Sequence, residues 1–114
     1  EKTNKESFVG IILEDEVGLK NIESIIDNDN IDMVYIGTYD ISSSLGCSPT
    51  DEKVLKELER CTKIVRNAGK SVGCLFHNEK ELKYFRDMGI NFLVYSVDSG
   101  ILYNSISNVK NWRV

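Results

Sequence analysis

The sequence lacks the features that would assign it at once to several classes of protein. It has no basic stripe, because 14 basic and 18 acidic residues are well mixed and leave a net charge of −4. Nucleic acid is therefore not an expected partner. No apolar run approaches the ~20 residues of a membrane-spanning helix, so no membrane partner is expected either. No signal peptide is recognisable at the start of the sequence, which begins with Glu1 rather than Met.

Cysteines in a metal-binding or disulfide pattern are also lacking. Cys47, Cys61 and Cys74 are odd in number and lack the close spacing of metal ligands. We expect free thiols that serve as small core or loop residues, which is typical of a cytoplasmic protein.

The composition suits a single folded domain. The chain has 114 residues, of which 41% are hydrophobic, so a core can form. Residues 1–6 are polar throughout and are predicted to be a lead-in. We expect residues 7–114 to form one α/β domain.

Apolar segments alternate with amphipathic ones along the chain. Strands are predicted for residues 8–13, 31–36, 71–76 and 91–96. Helices are predicted for residues 15–27, from a Ser48 cap to Gly69, for 78–88 behind an Asn78 cap, and from Asp98 onward, with a tail at 107–114. This βαβαβαβα order indicates parallel strands with right-handed crossovers.

Two architectures fit this order. Four βα units can form a small open, doubly wound sheet. They can also form half of an eight-unit barrel, which typically has ~250 residues. Periodicity alone does not distinguish the two.

One carboxylate follows each of the first two predicted strands. Glu14 ends the first, and Asp40 lies in a glycine-flanked polar segment, 37–46, after the second. Parallel neighbours deliver their carboxyl ends to the same edge of a sheet, where sites are built. The pair could therefore hold a hard divalent cation, or it could consist of solvated acids at helix starts.

Other polar residues are predicted at the same edge. His77 ends the third strand, and Asp98 is interpreted chiefly as the cap of the last helix. The serines at 42–44 are expected to fix their loop through backbone hydrogen bonds, since no base is positioned to activate them.

Several segments resemble one known family. The stretch Ile36-Gly-Thr-Tyr-Asp-Ile-Ser-Ser-Ser-Leu-Gly46 is similar to the Gly-Pro-x-Asp-Leu-Ser-x-Ser-Leu-Gly loop of the HpcH/HpaI aldolase and citrate lyase family. Residues 9–22, 68–73, 89–94 and 98–102 match other segments of that family in order. The resemblance covers nearly the whole chain.

The resemblance implies the C-terminal half, strands five to eight, of a (β/α)8 TIM barrel. It implies that Glu14 and Asp40 bind a divalent metal, Mg²⁺ or Mn²⁺, and that the backbone amides of Tyr39 and Asp40 bind the carboxylate of a pyruvate-type 2-oxo acid. The family's catalytic Arg and His lie in the N-terminal half, so no residue here takes those roles.

The function implied is part of a metal-dependent class II aldolase. Such enzymes cleave 4-hydroxy-2-oxo acids to pyruvate and an aldehyde, and this chain is expected to be inactive without the N-terminal half. Three positions depart from the family pattern. Thr38 replaces a proline that stiffens the loop, Tyr39 replaces a small residue and crowds the pyruvate site, and Ser48 replaces a frequent histidine.

Two alternatives stay open, and with them whether the chain is itself an enzyme. One is a non-catalytic half-barrel that serves as a binding or assembly module. The other is an enzyme of the citrate lyase or malyl-CoA lyase branch, although Ser42 and Leu45-Gly46 favour the aldolase branch. In each case the open edges of a half-barrel predict a homo-oligomer or a separate N-terminal half as partner.

Overall fold

The computed structural model of the protein describes residues 6–110 and 112. Its strands are β1 (Gly10–Leu13), β2 (Met33–Ile36), β3 (Ser71–Phe76) and β4 (Phe92–Tyr95). Its helices are α1 (Glu16–Ile26), α2 (Thr38–Ser44), α3 (Glu52–Asn67), α4 (Glu79–Met88) and α5 (Asp98–Lys110). Apart from Glu6, the predicted lead-in lies outside the described residues.

The four strands form one parallel sheet in the order β1-β2-β3-β4. The prediction of an α/β fold with four parallel βα units is confirmed. A doubly wound sheet reverses its strand order at a switch point, and this sheet does not. The sequential order is that of a barrel segment, in which every crossover turns the same way.

One face of the sheet is covered by helices. Alternate strand residues such as Val34 and Ile36 point to that face and are 0% and 1% exposed. They join a single core cluster with helix residues that include Leu19, Ile22 and Leu58. Burial of these side chains, at roughly 1.5–3 kcal/mol each, is what fixes the helices on the sheet.

The opposite face of the sheet is apolar and uncovered. One register row crosses all four strands on this face through Ile12, Tyr35, Gly73 and Phe92. Ile12 is 64% exposed and Phe92 is 46% exposed. A Cβ on Gly73 would lie 2.7 Å from the Tyr35 ring and 3.1 Å from the Phe92 ring, so both rings lean over this glycine.

The ends of the helices confirm one predicted cap and correct another. Asn78 accepts from the Glu81 amide at 3.0 Å, as expected, and α4 ends at Gly89 with φ +103°. The predicted Ser48 cap is wrong, because Asp51 caps α3 and accepts from the Lys53 amide at 2.9 Å. The segment before it is a turn closed by the Asp51 amide and the Ser48 carbonyl, a setting that suits proline at 49 equally well.

Two predicted irregular segments are helical instead. The polar segment 37–46 contains α2, which buries Ile41 on the core. The last helix, α5, continues to Lys110 and so takes in half of the predicted tail, while residues 111, 113 and 114 lie outside the described residues. No residue of α5 is buried. Among residues 6–110 and 112, no helix combines the length and apolar character of a membrane span.

Candidate metal site at the carboxyl edge of the sheet

The structure places Glu14 and Asp40 at the same edge of the sheet. Leu13 of β1 pairs with Ile36 of β2. The residues that follow them, Glu14 and Gly37, therefore leave the sheet side by side at the same edge. The Gly37 amide donates to the Leu13 carbonyl at 2.9 Å and extends the ladder by one more bond. Asp40 lies in the first turn of α2, three residues further on.

Gly37 lies close to both acidic residues. A Cβ added to it would lie 3.4 Å from the Glu14 Cβ and 3.5 Å from Asp40 Oδ2. Both acids therefore border the space that the missing side chain leaves open. Gly37 has φ −81°, which any residue adopts, so the backbone does not require glycine here. A Cβ would meet its neighbours at ordinary contact distances, so packing does not require glycine either. The closeness of Gly37 to both acids is a feature that sequence reasoning missed.

Neither acid has an ion-pair partner among the residues that the structure describes. Among residues 6–110 and 112, no Lys, Arg or His forms an ion pair with Glu14 or Asp40. Both are exposed, and in the same residues no group of three or more His, Cys, Asp or Glu converges. A hard divalent cation takes six or more oxygens and readily keeps water among them, so two carboxylates around an open space fit such an ion as partial ligands.

The serine segment holds the two acid-bearing loops together. Ser44 Oγ accepts from the Glu16 amide at 3.1 Å and so ties α2 to the start of α1. Ser42 Oγ donates to the Tyr39 carbonyl at 2.6 Å. The prediction that these serines act through backbone hydrogen bonds is confirmed for both residues.

Tyr39 and His77 form a bridge between the β2 and β3 loops. Tyr39 Oη lies 3.4 Å from His77 Nε2, and the two rings meet edge to face at 5.8 Å. Glu81 accepts from the His77 amide at 2.7 Å and lies 3.4 Å from Nδ1. His77 therefore contacts Tyr39 and Glu81 rather than the carboxylate pair. The Asn78–Glu81 spacing of a capping box was the sequence signal that placed Glu81 here.

The end of β4 carries two further polar residues. Asp98 is the first residue of α5 rather than its cap, and its Oδ1 accepts from the Ser99 amide at 2.7 Å. Ser96 has φ +48° and is largely buried, a conformation that costs about 1 kcal/mol for a residue with a Cβ. Nothing in the sequence marks Ser96, because serine is common at strand ends.

Comparison with known proteins shows which family the chain belongs to. A sequence profile described as HpcH/HpaI aldolase/citrate lyase matches residues 1–105. The chain belongs to this family. The resemblance drawn from the sequence motifs is confirmed.

Curated relatives in the family are similar over most of this chain but are much longer. A protein of Shigella sonnei named 4-hydroxy-2-oxo-heptane-1,7-dioate aldolase is 31% identical over 104 residues, which are 90% of this chain and 40% of the relative. The protein of the same name from Klebsiella pneumoniae is 32% identical over 103 residues, 89% of this chain and 39% of the relative. The chain thus spans about two-fifths of the length of these relatives.

Solved structures give the same result for the fold. A structure titled citrate synthase SbnG superposes with a TM-score of 0.88 at 23% identity, over 96% of this chain and 45% of the other. A family member from Burkholderia cenocepacia superposes with a TM-score of 0.87 at 20% identity, over 93% and 42%. These family members are TIM barrels, so the four βα units correspond to slightly less than half of a barrel chain.

Proposed function

We propose that this chain is the metal-bearing half of a class II aldolase that cleaves 4-hydroxy-2-oxo acids to pyruvate and an aldehyde. The single observation that supports it most is the open space at Gly37, bordered by Glu14 and Asp40 at the carboxyl edge of a family fold. That edge is where barrel enzymes place their chemistry. The names of the curated relatives support the substrate class.

The carboxylate pair would hold Mg²⁺ or Mn²⁺. When bound, such an ion supplies positive charge to the keto and carboxylate oxygens of a 2-oxo acid, where negative charge develops as the carbon–carbon bond breaks. Ser44 of α2 ties the helix that carries Asp40 to the start of α1, two residues after Glu14. Gly37 lies beside both acids and carries no side chain that would compete with an ion for this space.

The first turn of α2 would bind the oxo-acid carboxylate. The first hydrogen bond of α2 runs from the Ile41 amide to the Gly37 carbonyl. The amides of Tyr39 and Asp40 come before Ile41 and have no helical acceptor, so they remain available as donors. Ser42 holds the Tyr39 carbonyl and so fixes the orientation of this turn. The Tyr39 side chain contacts His77, with Oη 3.4 Å from Nε2.

The remaining groups would come from an N-terminal half. The uncovered sheet face shows Ile12, Tyr35 and Phe92, which a complete barrel would enclose. The curated relatives are about two and a half times as long as the matched segment, which leaves room for four more βα units. We therefore expect the chain by itself to show little or no aldolase activity, because losing even one oxyanion donor typically costs roughly 10²–10³-fold.

Calorimetric titration with Mn²⁺ tests the site directly. Wild-type chain should give a weak saturable heat, and Asp40→Asn should abolish it. Asp29→Asn, which makes the same charge change in an exposed loop, should leave it intact. Gly37→Ala should also weaken binding, since its methyl group would lie 3.5 Å from Asp40 Oδ2, next to the proposed ligand. Equal heats from wild type and Asp40→Asn would remove the metal assignment.

A coupled pyruvate-release assay with a 4-hydroxy-2-oxo acid tests whether the catalytic groups lie outside this chain. The isolated chain should release little pyruvate. Rapid turnover by the chain alone would mean that the catalytic groups lie within it, contrary to the proposal.

A further inference from the structure

A pocket of about 280 Å³ opens beside the candidate metal site and takes no part in the function proposed above. Its apolar wall is formed by Leu55 of α3, Leu75 of β3 and Phe85 of α4. Neither Glu14 nor Asp40 lines it. It is therefore a separate cavity at the same edge of the sheet.

The pocket has aromatic walls. Tyr39 and His77 meet edge to face, with ring centroids 5.8 Å apart, and together they form one side. Tyr84 and Phe85, at 5.7 Å, contribute rings from α4. Aromatic side chains prefer tilted or edge-to-face contact with another ring, so a flat aromatic ligand suits this lining. The volume lies at the lower limit of ligand pockets, about 300 Å³, which favours a compound with a single ring.

The pocket carries one charged side chain of each sign, Lys80 and Glu81. Lys80 lines it and forms no ion pair in the described part of the chain, whereas Lys83 on the same helix pairs with Asp87. The carboxylate of Glu81 also lines it, but this group already accepts from the His77 amide at 2.7 Å and from Asn78 Nδ2 at 2.9 Å. These neutral donors leave the Glu81 charge in place but occupy both of its oxygens. The Lys80 ammonium therefore keeps its donors for a ligand, and it suits a ligand with an anionic group.

We propose that this pocket binds a small one-ring aromatic carboxylate. The ring lies between Tyr39 and the α4 aromatics, and the carboxylate pairs with the Lys80 ammonium. This inference does not rest on the aldolase proposal, because the metal pair is outside the pocket. Its ligand would contact the side chain of Tyr39, the residue that precedes Asp40.

Titration of the chain with benzoate, followed by NMR, tests the proposal. His77 is the only histidine in the sequence, so its imidazole protons give one resolved reporter at the pocket wall. Benzoate should shift these signals with about millimolar affinity, as expected for so small a ligand. Acetate, which lacks the ring, and benzylamine, which carries the opposite charge, should have little effect at the same concentration.

A pair of lysine variants assigns the charge. Lys80→Gln should weaken benzoate binding about tenfold, the usual worth of one charge-assisted hydrogen bond. Lys83→Gln, on the same helix but outside the pocket, should leave it unchanged. The proposal is overturned if benzoate leaves the His77 signals in place, if benzylamine binds as tightly as benzoate, or if both variants bind like wild type. Both lysines are exposed, so neither substitution threatens the fold.

Discussion

The two faces of the sheet differ sharply in how they are covered. On the helix side, Val34 and Ile36 are 0% and 1% exposed. On the other side, Ile12 is 64% exposed although the two faces carry the same kind of side chain. When one face of a sheet meets water, as in many antiparallel sheets, the strands normally place polar residues on that face. This chain keeps both faces apolar, so its strands are those of a sheet that is buried on both sides.

The comparison links the fold to the function. The uncovered face and the carboxylate pair adjoin the space that the interior and rim of a complete barrel would occupy. Contiguous apolar surface is uncommon on soluble monomers and often marks an interaction site. Under the function proposed above, both the further metal ligands and the cover for this face would come from an N-terminal half.

The largest expected effect comes from truncating one isoleucine on each face. Ile36→Ala should lower the free energy of unfolding by about 2–5 kcal/mol, because it removes a fully buried side chain and leaves a cavity. Ile12→Ala, the same change on the neighbouring strand, should cost the single chain much less and should instead weaken self-association. Urea unfolding at several protein concentrations separates the two effects. Equal losses that do not depend on concentration would show that both faces are covered within one chain.

A smaller contrast should appear in thiol reactivity. Burial raises the pKa of Cys61 to about 11 and that of Cys74 to about 12, since the helix-covered layer disfavours the thiolate. The reactive thiolate at Cys61 is therefore about a hundredfold scarcer than in an ordinary thiol. Half-buried Cys47 should react with a disulfide reagent at pH 8 well before the other two, which should react only on unfolding. Three equal rates would mean that the covered layer opens readily.

The same pKa values set a limit on stability at high pH. The two buried thiols ionise more easily in the unfolded chain, where the thiol has its ordinary pKa of 9.0. Their contribution to stability is thus fully present below pH 9 and is lost as the pH rises through about 11 and 12.

Most of the fold was predictable because its elements follow simple periodicities. Apolar runs marked the strands, and the Asn78–Glu81 spacing marked one helix start. The short helix α2 was not predictable, since seven residues rich in serine show no helical stripe. It is stabilised by tertiary contacts, namely the burial of Ile41 and the hydrogen bond that the Glu16 amide donates to Ser44 Oγ. The order of the strands in the sheet was also not predictable from periodicity, which does not say which strands pair.

The candidate site was predictable only in part. Glu14 and Asp40 follow from the rule that parallel strands end at one edge, and the motif resemblance supplied their proposed roles. The space at Gly37 and the bridge between Tyr39 and His77 depend on how two loops approach each other. No local pattern encodes such an approach, because the residues involved are 38 positions apart in the case of the bridge.

Light scattering across a dilution series tests the central claim that the uncovered sheet face must be covered by a second polypeptide chain. Wild-type chain at micromolar concentration should have at least twice the mass of one chain. Ile12→Glu should dissociate it, whereas Val17→Glu, at a residue of nearly equal exposure (66% against 64%) on the outer side of α1, should not. A compact monomer at every concentration, with the two variants alike, would contradict the account and show that the sheet is stable with one face open to water.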